Sequence, residues 1–175
     1  MKEVGIGIIG VGNIGSYLFK EINSIKSEIN KNLGFKIKII GVVAKNPKKK
    51  RAIKIKKNLF YKNPIDLVKN NKVNILFELI GMSDGISKKV VEIALKNKKH
   101  VITANKALIS KHGEYLSKLA EKNNVNLEFE ASVAGGIPVL RTIKDGLATN
   151  KISKVVGILN GTSNYILTEM EKTRK

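Results

Sequence analysis

Short apolar runs alternate along the chain with segments whose apolar positions recur every three or four residues, the periods of strand and helix respectively. Residues 4–9 are apolar and rich in β-branched side chains, and Gly10, Gly12 and Gly15 punctuate the turn after them. Ile14, Leu18, Ile22, Ile25 and Ile29 then fall at helical spacing and predict one long helix. A second apolar run spans 37–44, followed by Asn46-Pro47 and the basic cluster Lys48, Lys49, Lys50 and Arg51, a turn with a charged surface segment. A short third strand is predicted over 59–61, and Asn63-Pro64 supplies a cap and first-turn proline for a helix over 64–70. Further strands are expected at 74–80, 101–103 and 125–130. Ile86, Val90, Ile93 and Ala94 stripe one intervening helix, and Leu108, Tyr115, Leu116, Leu119 and Ala120 stripe the next. Strands alternating with amphipathic helices predict right-handed βαβ units and an α/β, doubly wound, mainly parallel sheet.

Beyond Glu130 the pattern changes. Residues 131–138 form a loop of small side chains, a helix is predicted over 138–148, and 152–159 reads as a strand. Asn160-Gly161-Thr162-Ser163 then caps a helix through Tyr165, Ile166 and Met170 that meets Lys175 without a stop signal. We expect a sheet domain over 1–130 and the incomplete start of a second, α+β domain over 131–175.

The longest apolar stretch, 74–82, is interrupted by Glu78 and falls well short of a membrane span. With no cysteine the chain has no disulfide framework, thiolate nucleophile or zinc ribbon, and we expect a cytoplasmic protein. Its two histidines, His100 and His112, have no Ser or Asp constellation nearby and read as structural. The formal charge of +19 raises a nucleic-acid-binding module as a rival reading. However, only three of the 33 Lys and Arg residues are arginines, aromatics make up 5%, and the lysines are scattered rather than grouped, so nucleic acid is the lesser alternative.

Gly10-Val11-Gly12-Asn13-Ile14-Gly15 fits G-x-G-x-x-G directly after a strand and at the start of a helix, the context of a Rossmann-type dinucleotide site. The bland alternative is tight turn packing. No acidic residue ends the second strand to accept a ribose 2′-hydroxyl. Lys45 stands there instead and suits a 2′-phosphate, which favours NADP while leaving NAD open; the alternative is a solvated basic loop. Three polar clusters follow later strand ends: Glu78 with Gly81, Thr103-Ala104-Asn105-Lys106, and Glu130 with its glycine-rich loop. Lys106 could polarise a substrate oxygen or serve only as a helix-start surface cation.

Several long segments resemble the homoserine dehydrogenase family. They are Glu78-Leu79-Ile80-Gly81, His100-Val101-Ile102-Thr103-Ala104-Asn105-Lys106-Ala107-Leu108, Phe129-Glu130-Ala131-Ser132-Val133-Ala134-Gly135-Gly136-Ile137-Pro138, and Gly157-Ile158-Leu159-Asn160-Gly161-Thr162-Ser163-Asn164-Tyr165-Ile166-Leu167. The resemblance implies NAD(P)-dependent interconversion of L-homoserine and L-aspartate 4-semialdehyde, on the route to threonine, methionine and isoleucine, by a homodimer whose second domain binds substrate. It implies that Gly10, Gly12, Asn13, Ile14, Gly15, Lys45, Thr103 and Lys106 hold the cofactor, and that Lys106 is one of two active-site lysines. It further implies a sodium ion on the backbone oxygens of Glu130, Val133, Gly135 and Ile137. The family's acidic substrate motif and second lysine lie beyond the last residue of this chain, and Met82 stands where the family commonly has glycine. Another NADP-dependent oxidoreductase of small aldehydes is the nearest alternative. Aspartate-semialdehyde dehydrogenase is disfavoured because its mechanism needs a cysteine.

Overall fold

A computed structural model describes residues 2–157 and 161–173, the side chain of Thr162 excepted. The chain divides into two compact units, Met1–Leu140 and Arg141–Lys175. In the first, the strands are β1 (Lys2–Ile9), β2 (Phe35–Val43), β3 (Ile75–Glu78), β4 (His100–Thr103) and β5 (Leu127–Glu128). The helices between them are α1 (Asn13–Ser24), α2 (Lys26–Leu33), α3 (Pro64–Lys69), α4 (Ile86–Lys96) and α5 (Lys106–Lys122), and after β5 come α6 (Glu130–Val133) and α7 (Val139–Arg141). The five strands form one parallel sheet in the order β2-β1-β3-β4-β5.

This order follows from the handedness of the connections. The chain leaves β1 in one direction to make β2 and in the other to make β3, β4 and β5, so right-handed crossovers place their helices on opposite faces. Two cores result. Ile6, Ile8 and Val42 pack with Phe19 and Ile22 of α1 on one face. Ile9, Val43 and Leu76 pack with residues of α3, α4 and α5, including Leu67, Val90, Leu95, Leu108 and Leu116, on the other. Alternating side chains of β1 therefore serve both layers, as a strand buried on two faces requires. Burying a branched aliphatic side chain of this kind is worth about 2 kcal/mol before entropy is counted.

Lys99, 5% exposed, closes the amino-end side of the sheet. Its Nζ donates to the carbonyls of Asn70 at 2.8 Å and Val73 at 2.6 Å, while burial pushes its pKa below the ordinary lysine value.

Several expectations need correction. The long helix predicted after the glycine turn is two helices. Ser24 Oγ donates to the Glu21 carbonyl and Asn23 Nδ2 to that of Phe19, ending the first helix at Ile25. Its buried residues are Gly15, Phe19 and Ile22, whereas Ile14 and Ile25 are exposed. The third strand, 59–61, is reduced to a 3-10 turn (Lys57–Leu59) and a single parallel bridge between Val42 and Phe60. The helix expected over 138–148 is α7 followed by a π turn, Thr142–Gly146, where the Leu147 N–H reaches back to the Thr142 carbonyl. In the second unit, residues 151–157 carry no regular structure; a strand needs a partner, and they have none among the described residues. The rest of that predicted strand, with Asn160 of the predicted cap, lies outside the described residues. The final helix, α8 (Gly161–Thr173), leaves Tyr165, Ile166, Leu167 and Met170 at least half exposed. Among the described residues, no helix is long and apolar enough to cross a membrane.

Candidate functional site

Val43, Ile9, Glu78 and Thr103 close β2, β1, β3 and β4 and stand in register with one another across the sheet. The segments that follow them therefore leave the sheet from one row. Three strand spacings of about 4.8 Å make that row roughly 14 Å long, a span that suits an extended dinucleotide. The reversal of strand order lies at β1 and β3, the position at which open parallel α/β sheets generally bind a ligand beyond the carboxyl ends of their strands.

At β1 the three fingerprint glycines have separate reasons. Gly10 has φ of +101°, and a Cβ there would sit 2.5 Å from the Leu79 carbonyl oxygen. A Cβ at Gly15 would lie 2.0 Å from the Gly10 carbonyl oxygen, so helix and turn touch through bare backbone. A Cβ at Gly12 would meet nothing within 4 Å. The open space at Gly12, at the start of a helix, would leave room for an anion to approach the backbone. Gly12 caps α1 without any side-chain hydrogen bond, which leaves the first N–H groups of the helix, with exposed Asn13 and Ile14, free to face an anion.

Beyond β2, Lys45 is exposed at the start of the basic loop. Arg51 organises that loop, a role its place in a charge run did not reveal. Its Nε donates to the Val11 carbonyl at 3.1 Å, Nη1 to those of Pro47 at 3.1 Å and Lys49 at 2.9 Å, and Nη2 to that of Asn46 at 2.7 Å. The guanidinium also lies over the Phe60 ring, 5.7 Å from its centroid. The basic loop is thus pinned to the glycine turn, beside a concavity of about 440 Å³ lined by Lys49, Lys54, Lys57 and Phe60 among others. The sequence signal was a lone arginine within a lysine run.

At the end of β3, Glu78 is fully buried. Its Oε1 accepts the Ile80 N–H at 2.9 Å, the Ser87 hydroxyl at 3.1 Å and Asn105 Nδ2 at 3.3 Å. Its Oε2 accepts the Thr103 hydroxyl at 2.6 Å. Thr103 in turn accepts the Asn105 N–H at 3.0 Å. The Asn105 side chain also donates to the Met82 carbonyl at 2.7 Å and caps α5 by accepting the Leu108 N–H at 3.1 Å. Lys106, the next residue, opens α5 with an exposed side chain. Ser87 escaped sequence reasoning, and Asn105 entered it only as a member of a polar cluster, because their hydrogen bonds to Glu78 join segments distant in sequence.

A surface cluster braces the same loops. Asp84 accepts from Lys111 at 2.7 Å and Ser83 at 2.7 Å and lies 2.8 Å from His112 Nε2, so the fold brings to His112 the aspartate neighbour that was not expected from the sequence. The Lys111 ammonium, then the Ser83 hydroxyl and His112, hold its carboxyl well below the ordinary aspartate range. His100 sits at the opposite end of β4, where Nδ1 accepts the Asn126 N–H.

The strand expected over 125–130 is shortened to β5, and Glu130 with the first residues of the expected 131–138 loop forms the single helical turn α6, in which the Glu130 carbonyl accepts the Ala134 N–H. Glu130 Oε1 accepts the Leu140 N–H at 2.9 Å. Val133, Gly135 and Ile137 are exposed, and the Ile137 carbonyl accepts the Val139 N–H. No cluster of three or more His, Cys, Asp or Glu side chains that could hold a metal occurs among the described residues. A cation on this segment would have to rely on backbone oxygens.

Residues 10–130 match the family described as homoserine dehydrogenase, NAD-binding domain, and residues 138–175 match that described as homoserine dehydrogenase. A homoserine dehydrogenase of Neisseria gonorrhoeae is 41% identical over 172 residues, 98% of this chain and 39% of that protein. One of Bacillus subtilis is 38% identical over 174 residues, 99% of this chain and 40% of that protein. Among solved structures, homoserine dehydrogenase of S. aureus at pH 7.5 superposes with a TM-score of 0.81 at 37% identity, covering 99% of this chain and 41% of that one. That of Thiobacillus denitrificans gives 0.85 at 36% identity, covering 98% and 39%. The chain spans about 40% of the length of these relatives. With the parallel sheet, the glycine turn and both family matches in agreement, this chain belongs to the homoserine dehydrogenase family.

Proposed function

We propose that this chain is the cofactor-holding part of an NADP-preferring enzyme that interconverts L-homoserine and L-aspartate 4-semialdehyde. The observation that carries the reading is the opening at Gly12 before an uncapped helix start, in line with the ends of the neighbouring strands. Gly10 and Gly15 shape the turn, and the N–H groups of Asn13, Ile14 and Gly15 bind the pyrophosphate. Lys45 meets the 2′-phosphate, from a loop that Arg51 holds against the turn. When bound, the nicotinamide supplies or takes the hydride at its C4. Thr103 lies buried beneath that end of the site with its hydroxyl committed to Glu78, and the exposed Lys106 ammonium orients and polarises the aldehyde or alcohol oxygen. The carbonyl oxygens of Glu130, Val133, Gly135 and Ile137 suit a hard monovalent cation such as sodium. The reading extends to a cytoplasmic homodimer, with cofactor held by residues 1–130 and substrate by a domain that begins at 131.

Titration of the full chain with NADPH and NADH, followed by nicotinamide fluorescence, tests it. NADPH should bind more tightly, and Lys45→Ala should weaken NADPH about fivefold while leaving NADH unchanged, the effect of one exposed charge pair. Equal affinities would overturn the NADP preference. Binding of neither by a folded chain would overturn the dinucleotide reading altogether.

A further inference from the structure

We infer that Glu78 is a positioning residue that presets the nicotinamide end of the cleft, acting through Thr103 and Asn105 on Lys106 and on the backbone at 80–82. This rests on the proposed dinucleotide function. Glu78 is fully buried and has no salt-bridge partner among the described residues. A carboxylate in such a place is held by donors alone, and an apolar residue of similar size would fill the space at less desolvation. The position of its four donors indicates what the carboxylate is for. They come from the segment after β3, the first turn of α4, the end of β4 and the cap of α5. Every loop on the β3–β4 side of the site therefore terminates on one side chain.

The connection to Lys106 is short. Oε2 fixes the Thr103 hydroxyl, whose oxygen takes the Asn105 N–H. Oε1 and the Met82 carbonyl share the two protons of the Asn105 amide, which orients its oxygen toward the Leu108 N–H. Lys106 follows Asn105 directly, so the direction in which α5 launches its first side chain depends on that amide. Glu78 also holds the Ile80 N–H, just ahead of Gly81, whose φ of +91° turns the chain. One carboxylate thus fixes both walls against each other before ligand arrives, and this preorganisation lowers the ordering that binding would otherwise require. The adenosine end, built from the glycine turn, Lys45 and Arg51, makes no hydrogen bond to Glu78.

The test uses the full chain with two ligands, NADPH and 2′-phospho-ADP-ribose, which lacks only the nicotinamide. Glu78→Gln keeps the shape but replaces one acceptor oxygen with a donor. It should weaken NADPH about tenfold, the loss of one strong hydrogen bond, and change 2′-phospho-ADP-ribose by less than about twofold. Thr103→Val should reproduce this selective loss, Thr103→Ser should restore near-native binding, and the Gln and Val changes combined should lose less than the product of their separate effects. Amide hydrogen exchange should quicken at Ile80 and Leu108 in both single variants while Leu76 and Leu116 keep their protection. Equal loss of both ligands, or unchanged NADPH binding with unchanged exchange at Ile80 and Leu108, would overturn the positioning role. Should Glu78→Gln fail to fold, Thr103→Val and Thr103→Ser decide it in the same way. A folded wild-type chain that binds neither ligand would overturn the dinucleotide reading and this inference together, an outcome distinct from a selective failure of the variants.

Discussion

One carbon atom at the glycine turn separates stability from binding. A Cβ at position 15 would press to 2.0 Å from the Gly10 carbonyl oxygen, and backbone at both partners leaves nothing flexible to yield. Position 12 has open space in front of it. Gly15→Val should therefore destabilise the fold by about 2 kcal/mol or more, lowering the thermal midpoint with or without ligand. Gly12→Val should leave that midpoint within about a degree or two and abolish NADPH binding, because its side chain would fill the space proposed for the pyrophosphate. Thermal melts of the two variants with parallel NADPH titrations check this; comparable destabilisation by both would mean that the turn is only a packing device. Both glycines were legible from the sequence, since their spacing and context were informative. The distinction between them was not, because it depends on what lies opposite each one.

Elements with a strong period were read well, and those defined by contacts were not. β1, α4 and α5 stand where their apolar pattern places them, because a face buried against a sheet must repeat at the period of its own structure. The break at Ile25 was missed because Ser24 and Asn23 end the helix by hydrogen bonds to backbone, against a continuing apolar pattern. The π turn at Thr142–Gly146 leaves no signature in composition at all. A similar contact joins α5 to the loop before α4, where Asp84 meets Lys111 and His112 from the next helix. Because the native fold depresses the Asp84 pKa, the folded state binds this proton less readily than the unfolded chain does. The contribution is complete above the unfolded aspartate value of about 3.9 and is lost as pH falls from there through the native value. Urea unfolding of wild type and Asp84→Asn should therefore differ by a small amount down to about pH 4, with the two curves converging at lower pH. A gap that widens on acidification would contradict the assignment.

Over the whole molecule, charge sets two effects in opposition. At +19 the chain repels itself, and added salt screens that repulsion and favours the compact state. On the proposed reading the same positive field draws a phosphate-bearing ligand to Lys45 and its lysine-rich loop, and salt weakens that attraction. Raising KCl from about 0.01 M to about 0.1 M shortens the screening length from about 30 Å to about 10 Å. The thermal midpoint of the ligand-free chain should then rise while NADPH affinity falls by several-fold. Potassium keeps any sodium on the Glu130 segment out of the comparison, and a matched NaCl series then isolates that cation as the difference between the two salts. 2′-Phospho-ADP-ribose should follow NADPH in its salt dependence and NADH should be less sensitive, since the extra phosphate carries the extra charge. A midpoint that falls with KCl would show that local pairs such as Asp84 with Lys111 outweigh the net repulsion. Equal salt slopes for NADPH and NADH would remove Lys45 from the phosphate and return the basic loop to the solvated surface.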